Sequence, residues 1–395
     1  MGARPLLIAL GLLAAGCAKL LPEAPAEDQL LDGPVPGLSG EQHARFLAGD
    51  AAFNEEVFTA ATGLGPLFVS TSCGSCHAGD GRGHPFSALT RFGQWDATGN
   101  HYLQQGGPQL QHRALPGHAP EVLPPDVPRT LLLPPPNTGL GFLDAVPDAV
   151  LMAMADPGDA DGDGISGVPN WIVPPPYATL RPGAVEQHGR YIGRFGRKGA
   201  AYDLLQQTAV AYNQDIGITS TFESRDTYTG EPMDPEVPDR TISDVVFYLR
   251  TLKAPVQRGR EDPSVVAGEQ VFSAVGCAKC HRPELPTGPS PIAPLANTTI
   301  RPFTDLLLHD MGPGLDDGYT EGGALSGEWR TPPLWGLGLS PNSQGGGYFL
   351  LHDGRATSLV QAIELHGGEA QASRAAFLQL PPAQREDLLR FLESL

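Results

Sequence analysis

The sequence predicts a mainly α fold built twice over, two small helical domains wrapped in long irregular loops. Three observations carry this reading. The pattern C-x-x-C-H occurs twice, as Cys73-Gly74-Ser75-Cys76-His77 and as Cys277-Ala278-Lys279-Cys280-His281. Each copy is followed by a similar closing segment, Phe247-Tyr248-Leu249-Arg250-Thr251-Leu252 in the first and Arg390-Phe391-Leu392-Glu393-Ser394-Leu395 in the second. Finally, 49 Gly and 40 Pro spread through 395 residues without a repeating register imply much loop around the helices.

The closing segment of the second copy, from Pro382 to Leu395, places Leu388, Leu389, Phe391, Leu392 and Leu395 on one face at helical spacing. Upstream, Phe68 and Phe272 stand at the same offset before Cys73 and Cys277. A weaker echo joins Pro135-Pro136-Asn137-Thr138-Gly139-Leu140-Gly141 to Pro332-Pro333-Leu334-Trp335-Gly336-Leu337-Gly338. The first repeat is the longer, and its extra length includes Asp156 to Asn170. These limits give a first domain over 41–252, a linker of mixed charge over 253–264 and a second domain over 265–395.

Residues 1–17 have the pattern of an export signal, with Arg4 before the apolar stretch Leu6 to Ala15, which is too short to span a bilayer. The stretch ends at Cys17 behind small residues, the pattern of a lipoprotein signal whose cysteine becomes the lipidated N-terminus. Residues 18–40, rich in Pro, Gly and acidic side chains, then form a solvated tether. A formal charge of −18 excludes phosphate backbones and anionic lipid surfaces as partners. The expectation is a periplasmic protein that meets the membrane only through an N-terminal lipid.

The chain has 5 cysteines: Cys17 and the four in the motifs. None remains for a structural disulfide. In C-x-x-C-H the two cysteines can add to the vinyl groups of one haem while the following histidine binds its iron. Two covalently bound haems c are expected, at Cys73, Cys76 and His77 and at Cys277, Cys280 and His281. The sixth iron position decides function, because an open site can bind peroxide and a doubly ligated one mainly moves electrons. His366, at the end of the helix expected over Ser358 to His366, is the first candidate for the second haem, followed by Met311 and His309.

A further motif is Asp159-Ala160-Asp161-Gly162-Asp163-Gly164-Ile165, whose D-x-D-x-D-G spacing lets alternate carboxylates converge on one hard cation. Asp159, Asp161, Asp163 and the backbone carbonyl of Ile165 are the expected calcium ligands. The twelfth position is Asn170 where an EF-hand has a bidentate Glu, so the loop is not an EF-hand.

Gly193-Arg-Phe-Gly-Arg-Lys-Gly199, Thr304-Asp-Leu-Leu-Leu-His-Asp-Met-Gly312, Glu328-Trp-Arg-Thr-Pro-Pro-Leu-Trp-Gly336 and His352-Asp-Gly-Arg-Ala356, with the acidic loop, carry a resemblance over most of 41–395. The chain resembles the di-haem oxidoreductases, peroxidase-like enzymes sometimes called thiol oxidoreductases, related to bacterial di-haem cytochrome c peroxidase and to MauG. In those peroxidases a Met fourteen residues after the matching His-Asp-Gly histidine binds the electron-transfer haem, and MauG has Tyr there. Here that place is His366. The resemblance also implies a peroxidatic Gln and Glu. Gln207 matches the first, Gly217 occupies the place of the second, and Asp215 is the nearest acid. The Trp that lies between the haems of the relatives aligns with Arg197 or Phe195, which leaves Trp95, Trp171 and Trp335 as substitutes. Related peroxidases also hold calcium between their haem domains.

The expected function is that of a periplasmic di-haem oxidoreductase. Hydrogen peroxide would be reduced at the haem on His77, with Gln207 and Asp215 beside it. The haem on His281 and His366 would relay electrons from a small redox protein or a protein substrate. The alternative is a non-catalytic electron-transfer cytochrome with both irons six-coordinate.

Overall fold

Ser39 opens the first long helix by accepting a hydrogen bond from Gln42 N, while the Gln42 side chain accepts from Ser39 N. The computed structural model describes residues 26–395 apart from 97 and 106. Among these, five helices reach twelve residues or more: α1 (Gly40–Asn54), α2 (Leu204–Ile216), α3 (Asp239–Thr251), α4 (Pro263–Ala274) and α5 (Pro382–Ser394). The signal, Cys17 and residues 18–25 of the expected tether lie outside the described residues, and within the described part of that tether Leu31 and Val35 are buried rather than solvated. No helix among the described residues is long and apolar enough to cross a membrane.

The internal duplication is written in how these helices cross. α1 buries Phe46, Gly49 and Phe53, and α4 buries Val265, Gly268 and Phe272, each set at helical spacing on one face. A Cβ on Gly49 would collide with the carbonyl oxygen of Asp244 in α3, and one on Gly268 with that of Asp387 in α5. Only glycine lets each pair of backbones approach this closely. Tyr248 and Phe391, one turn further along the closing helices, cover the same crossings. The weaker echo obeys the same geometry. Gly139 and Gly336 share a φ of 72°, and Gly141 and Gly338 abut the carbonyls of Arg250 and Glu393.

One sequence equivalence is corrected by this geometry. The counterpart of Phe272 is Phe53 and not Phe68, because Phe53 packs against the Tyr248 ring at 5.6 Å between centroids as Phe272 does against Phe391 at 5.3 Å. The two rings also reach the motif histidines, His77 at 5.8 Å and His281 at 6.4 Å. Phe68 instead pairs with Arg113 in a two-stranded ribbon, and the Arg113 guanidinium lies over its ring. An additional segment between α1 and the first motif displaced the pattern that spacing alone had matched.

Among the described residues about 33% are helical and 12% are strand, so irregular chain dominates. The strands are of two to four residues and form small antiparallel ribbons and one three-stranded sheet. One ribbon matters for the site: Leu308–Asp310 pairs with Glu328–Arg330, which sets His309 opposite Trp329. A bridge from Val168 to Leu308 adds the end of the acidic loop to it. Two of the apolar clusters each take in the first cysteine of a motif, Cys73 the one that contains Phe53, Tyr212 and Tyr248 and Cys277 the one that contains Phe272, Phe377 and Phe391. Residues 31–395 form one compact unit, and the described part of residues 1–30 contributes a single turn over Glu27–Gln29.

Candidate haem sites

Gly276, at φ 89°, lets the chain leave α4 and enter a tight turn over Cys277–Lys279. His281 N donates to Cys277 O at 3.0 Å, which closes the motif into a helical turn. The His281 ring then donates from Nδ1 to Phe303 O at 3.0 Å and keeps Nε2 for the cavity it lines. His366 lines the same cavity and donates from Nδ1 to Ala362 O at 2.7 Å. The helix Leu359–Glu364, capped by Ser358, carries it there. Burial lowers His281 to about 4 and lowers His366 as well, so both rings are neutral, the form that ligates iron. Met311 also stands on this wall, packed against Leu132, Leu315 and Trp329.

His309 is excluded as a ligand. Its Nε2 bonds Asp305 at 2.9 Å and its Nδ1 bonds Glu369 at 2.6 Å, which occupies both nitrogens. Burial works against charge on this ring, but hydrogen bonds with Asp305, Cys280 and Glu369 outweigh it and hold the pKa well above the ordinary value. His309 is therefore an imidazolium between two carboxylates at the edge of the cavity.

The first motif repeats the local chemistry of the second. His77 N donates to Cys73 O at 3.0 Å, and His77 Nδ1 donates to Pro135 O at 3.0 Å. Burial lowers its pKa to about 4. In both motifs burial pushes the first thiol up to about 12, which is contrary to the thiolate that a redox cysteine pair needs.

Asp215 stands near this motif, close enough for its charge to act on Cys73 and Cys76. The backbone of Val69 and Ser70 donates to its carbonyl, and Gln109 donates to its carboxylate. Burial raises the carboxyl to about 6, against the pull of the Gln109 hydrogen bond and of Arg91. Gln207 lies eight residues earlier on α2, about 12 Å away along the axis, and its side-chain oxygen faces the Gly196 turn. The two side chains meet different partners, Gln207 at the Gly196 turn and Asp215 at Gln109. Gln109, distant in sequence from both, is the polar partner that Asp215 has, and no local pattern announced it.

The acidic loop also differs from expectation. Ligand oxygens of Asp156, Asp159 and Asp161 lie within 4.8 Å of one another, whereas Asp163 turns away to pair with Lys279 of the second motif at 3.0 Å. The N–H of Ile165 donates to Asp163, and Ile165 lines the cavity of His281 and His366. Asp156 was missed because it precedes the D-x-D-x-D run; the chain folds back on it, and Ala160 N donates to its carboxylate at 2.7 Å.

With the site in view, comparison with known proteins decides the family. Residues 23–91 and 121–395 match the model of the family described as "Di-haem oxidoreductase, putative peroxidase". The chain belongs to this family. No curated protein matches it. Among solved structures it is similar to hydrazine synthase from Kuenenia stuttgartiensis pressurised with 20 bar xenon, at 16% identity and a TM-score of 0.40 over 95% of this chain and 97% of that one. It is also similar to a MauG-like protein associated with microbial copper homeostasis, at 14% identity and a TM-score of 0.32 over 71% of this chain and 95% of that one.

This di-haem oxidoreductase is an enzyme whose family implies haem cofactors, and the residues of its two motifs fit that cofactor. Each motif histidine is neutral and anchored through Nδ1 to a backbone carbonyl, the arrangement that orients an imidazole for a metal. At the second motif the apolar cavity and the facing His366 complete a place for one.

Proposed function

We propose that this di-haem oxidoreductase binds both haems covalently as haem c, through Cys73 and Cys76 and through Cys277 and Cys280, and reduces hydrogen peroxide at the His77 side. The observation that supports the reading is the cavity that His281 and His366 share, where two neutral imidazoles could hold one iron and would suit the second haem to electron transfer. Bound haem iron supplies electron storage and, where a position is open, reaction with peroxide. On the His77 side, Asp215 near neutrality is poised to take up and return a proton, and Gln109 fixes its carboxylate. Gln207 is not part of this pair. The electrons come from a small redox protein or a protein substrate, and the acidic surface favours a basic donor. Export to the periplasm and lipidation at Cys17 are read from the sequence alone.

Two measurements on the full chain test the reading. Intact mass after denaturation rises by two haems; a rise by one or none defeats it. The ferric spectrum contains a high-spin component from the His77 haem. A wholly low-spin spectrum selects the electron-transfer alternative.

We further propose calcium at Asp156, Asp159 and Asp161, where three carboxylates crowd one another unless a cation sits among them. Because the loop joins the second motif through Asp163 and Lys279 and joins Glu369 through Ser166, calcium would stiffen that side of the haem cavity. Removal of calcium from a solution at 100 times its Kd costs about 2.7 kcal/mol. A chelator therefore lowers the Tm of the holoprotein, and an unchanged Tm with no metal by elemental analysis rejects the site.

A further inference from the structure

We propose that Arg82, Arg197 and Arg330 form a cationic pocket that receives the propionate carboxylates of the haem held at His281. The proposal rests on the haem reading of the second motif. All three arginines line the cavity that His281 and His366 share. Arg82 and Arg197 are only 7% and 8% exposed, yet neither meets a carboxylate among the described residues. Arg197 donates from Nε and from its terminal nitrogen to Leu133 O, at 3.0 and 2.7 Å. Arg82 donates to Leu351 O at 3.3 Å, and its Nε is buried without a partner. Arg330 donates to Gly196 O at 3.0 Å and Thr331 O at 3.2 Å.

Other buried arginines of this molecule are neutralised. Arg194 pairs with Asp148, and Arg91 pairs with Glu321 at 2.8 Å. The three in the cavity hydrogen-bond only to carbonyls, although Asp353 lies near enough to act on Arg197 and Asp305 on Arg330. A guanidinium does not shed its proton readily, so buried positive charge of this kind calls for a counter-anion. Burial lowers all three pKa values, and mutual repulsion adds to the effect on Arg197. The cavity thus offers apolar walls at Phe272, Leu337 and Leu359, the imidazoles of His281 and His366, and guanidinium groups that no carboxylate hydrogen-bonds. A planar apolar ring with two carboxylates at one edge satisfies all of these together, and bidentate pairing suits those carboxylates. The same segment that holds Arg197, Leu133-Pro134-Pro135, also accepts the His77 Nδ1 proton, so the cation sits between the two motifs.

The test uses holoprotein whose mass shows two haems, which separates failure of this proposal from failure of the haem reading. Arg197→Gln and Arg330→Gln are expected to shift the propionate-bending band of the low-spin haem in resonance Raman spectra and to lower its midpoint potential. Arg330→Lys, which keeps the charge, is expected to recover the potential in part. Bands and potential unmoved in these variants overturn the proposal. So does a wild-type spectrum that added phosphate or formate perturbs to the same degree, because a free anion would then fill the pocket. Should the variants fail to fold, wild-type protein with haem carrying carbon-13 propionates decides. Label-sensitive infrared bands of ionised carboxylate support the pocket, and bands of protonated carboxyl overturn it.

Discussion

His366→Ala leaves both haems attached and converts the haem on His281 from low spin to a high-spin or water-ligated state. The expectation follows from how the side chain is held. Ser358 caps the helix Leu359–Glu364, Leu359 is buried, and Ala362, Ile363 and Leu365 pack on the same core, so the ring arrives at the cavity on a short fixed arm. Its Nδ1–H is committed to Ala362 O, which leaves Nε2 for the iron. Alanine removes that nitrogen and creates space for water. Electron paramagnetic resonance then shows loss of the low-spin signal of one haem per chain, and added imidazole restores it. If the low-spin signal persists, the ligand is Met311 on the same wall. In the wild type, peroxide perturbs the high-spin signal of the His77 haem first.

What the sequence made legible follows the range over which a pattern acts. The two C-x-x-C-H motifs are complete within five residues, and the turn that brings cysteine and histidine together is local. The closing helices were legible for the same reason, since an amphipathic face declares itself through helical spacing. The glycine crossings were not. Gly49 and Gly268 matter because of Asp244 and Asp387, far along the chain, and nothing beside either glycine marks it as a contact. Phe68 was matched to Phe272 by offset alone, and the true counterpart, Phe53, lies behind an added segment.

Charged residues show the same limit more sharply. Asp163 fits the calcium spacing, but Lys279, which reaches it from the second motif, is invisible to a pattern confined to the loop. Gln207 and Asp215 share a helix, and an offset of eight residues separates them by two turns. The arginines of the cavity come from three segments. Arg197 was noticed only as the residue at a place where relatives have Trp, and its shared cavity with Arg82 and Arg330 is a property of the fold.

His309→Ala is expected to lower stability by about 3–5 kcal/mol, the range found when one partner of a buried ion pair is removed. The ring is 4% exposed and lies between Asp305 and Glu369. Glu369 in turn accepts from the backbone and hydroxyl of Ser166 and from Asp310 N, so its loss of a counter-charge is felt in the acidic loop and in the strand beside the haem cavity. The pH dependence has a definite sign. The folded-state pKa of His309 is raised above 6.5, so its contribution is full below that value and is lost only as pH rises through the much higher folded value. Burial opposes charge on Glu369, but hydrogen bonds from His309 and Ser166 outweigh it and depress its pKa below 4.5. Its contribution is present above 4.5 and disappears as pH falls through the folded value. In the alanine variant the stranded Glu369 carboxylate is relieved by protonation. The gap in Tm between wild type and variant should therefore be widest near neutrality and should narrow below pH 4.5. Thermal unfolding of both holoproteins across that range gives the answer, and a gap that stays constant would show that His309 does not carry the charge assigned to it.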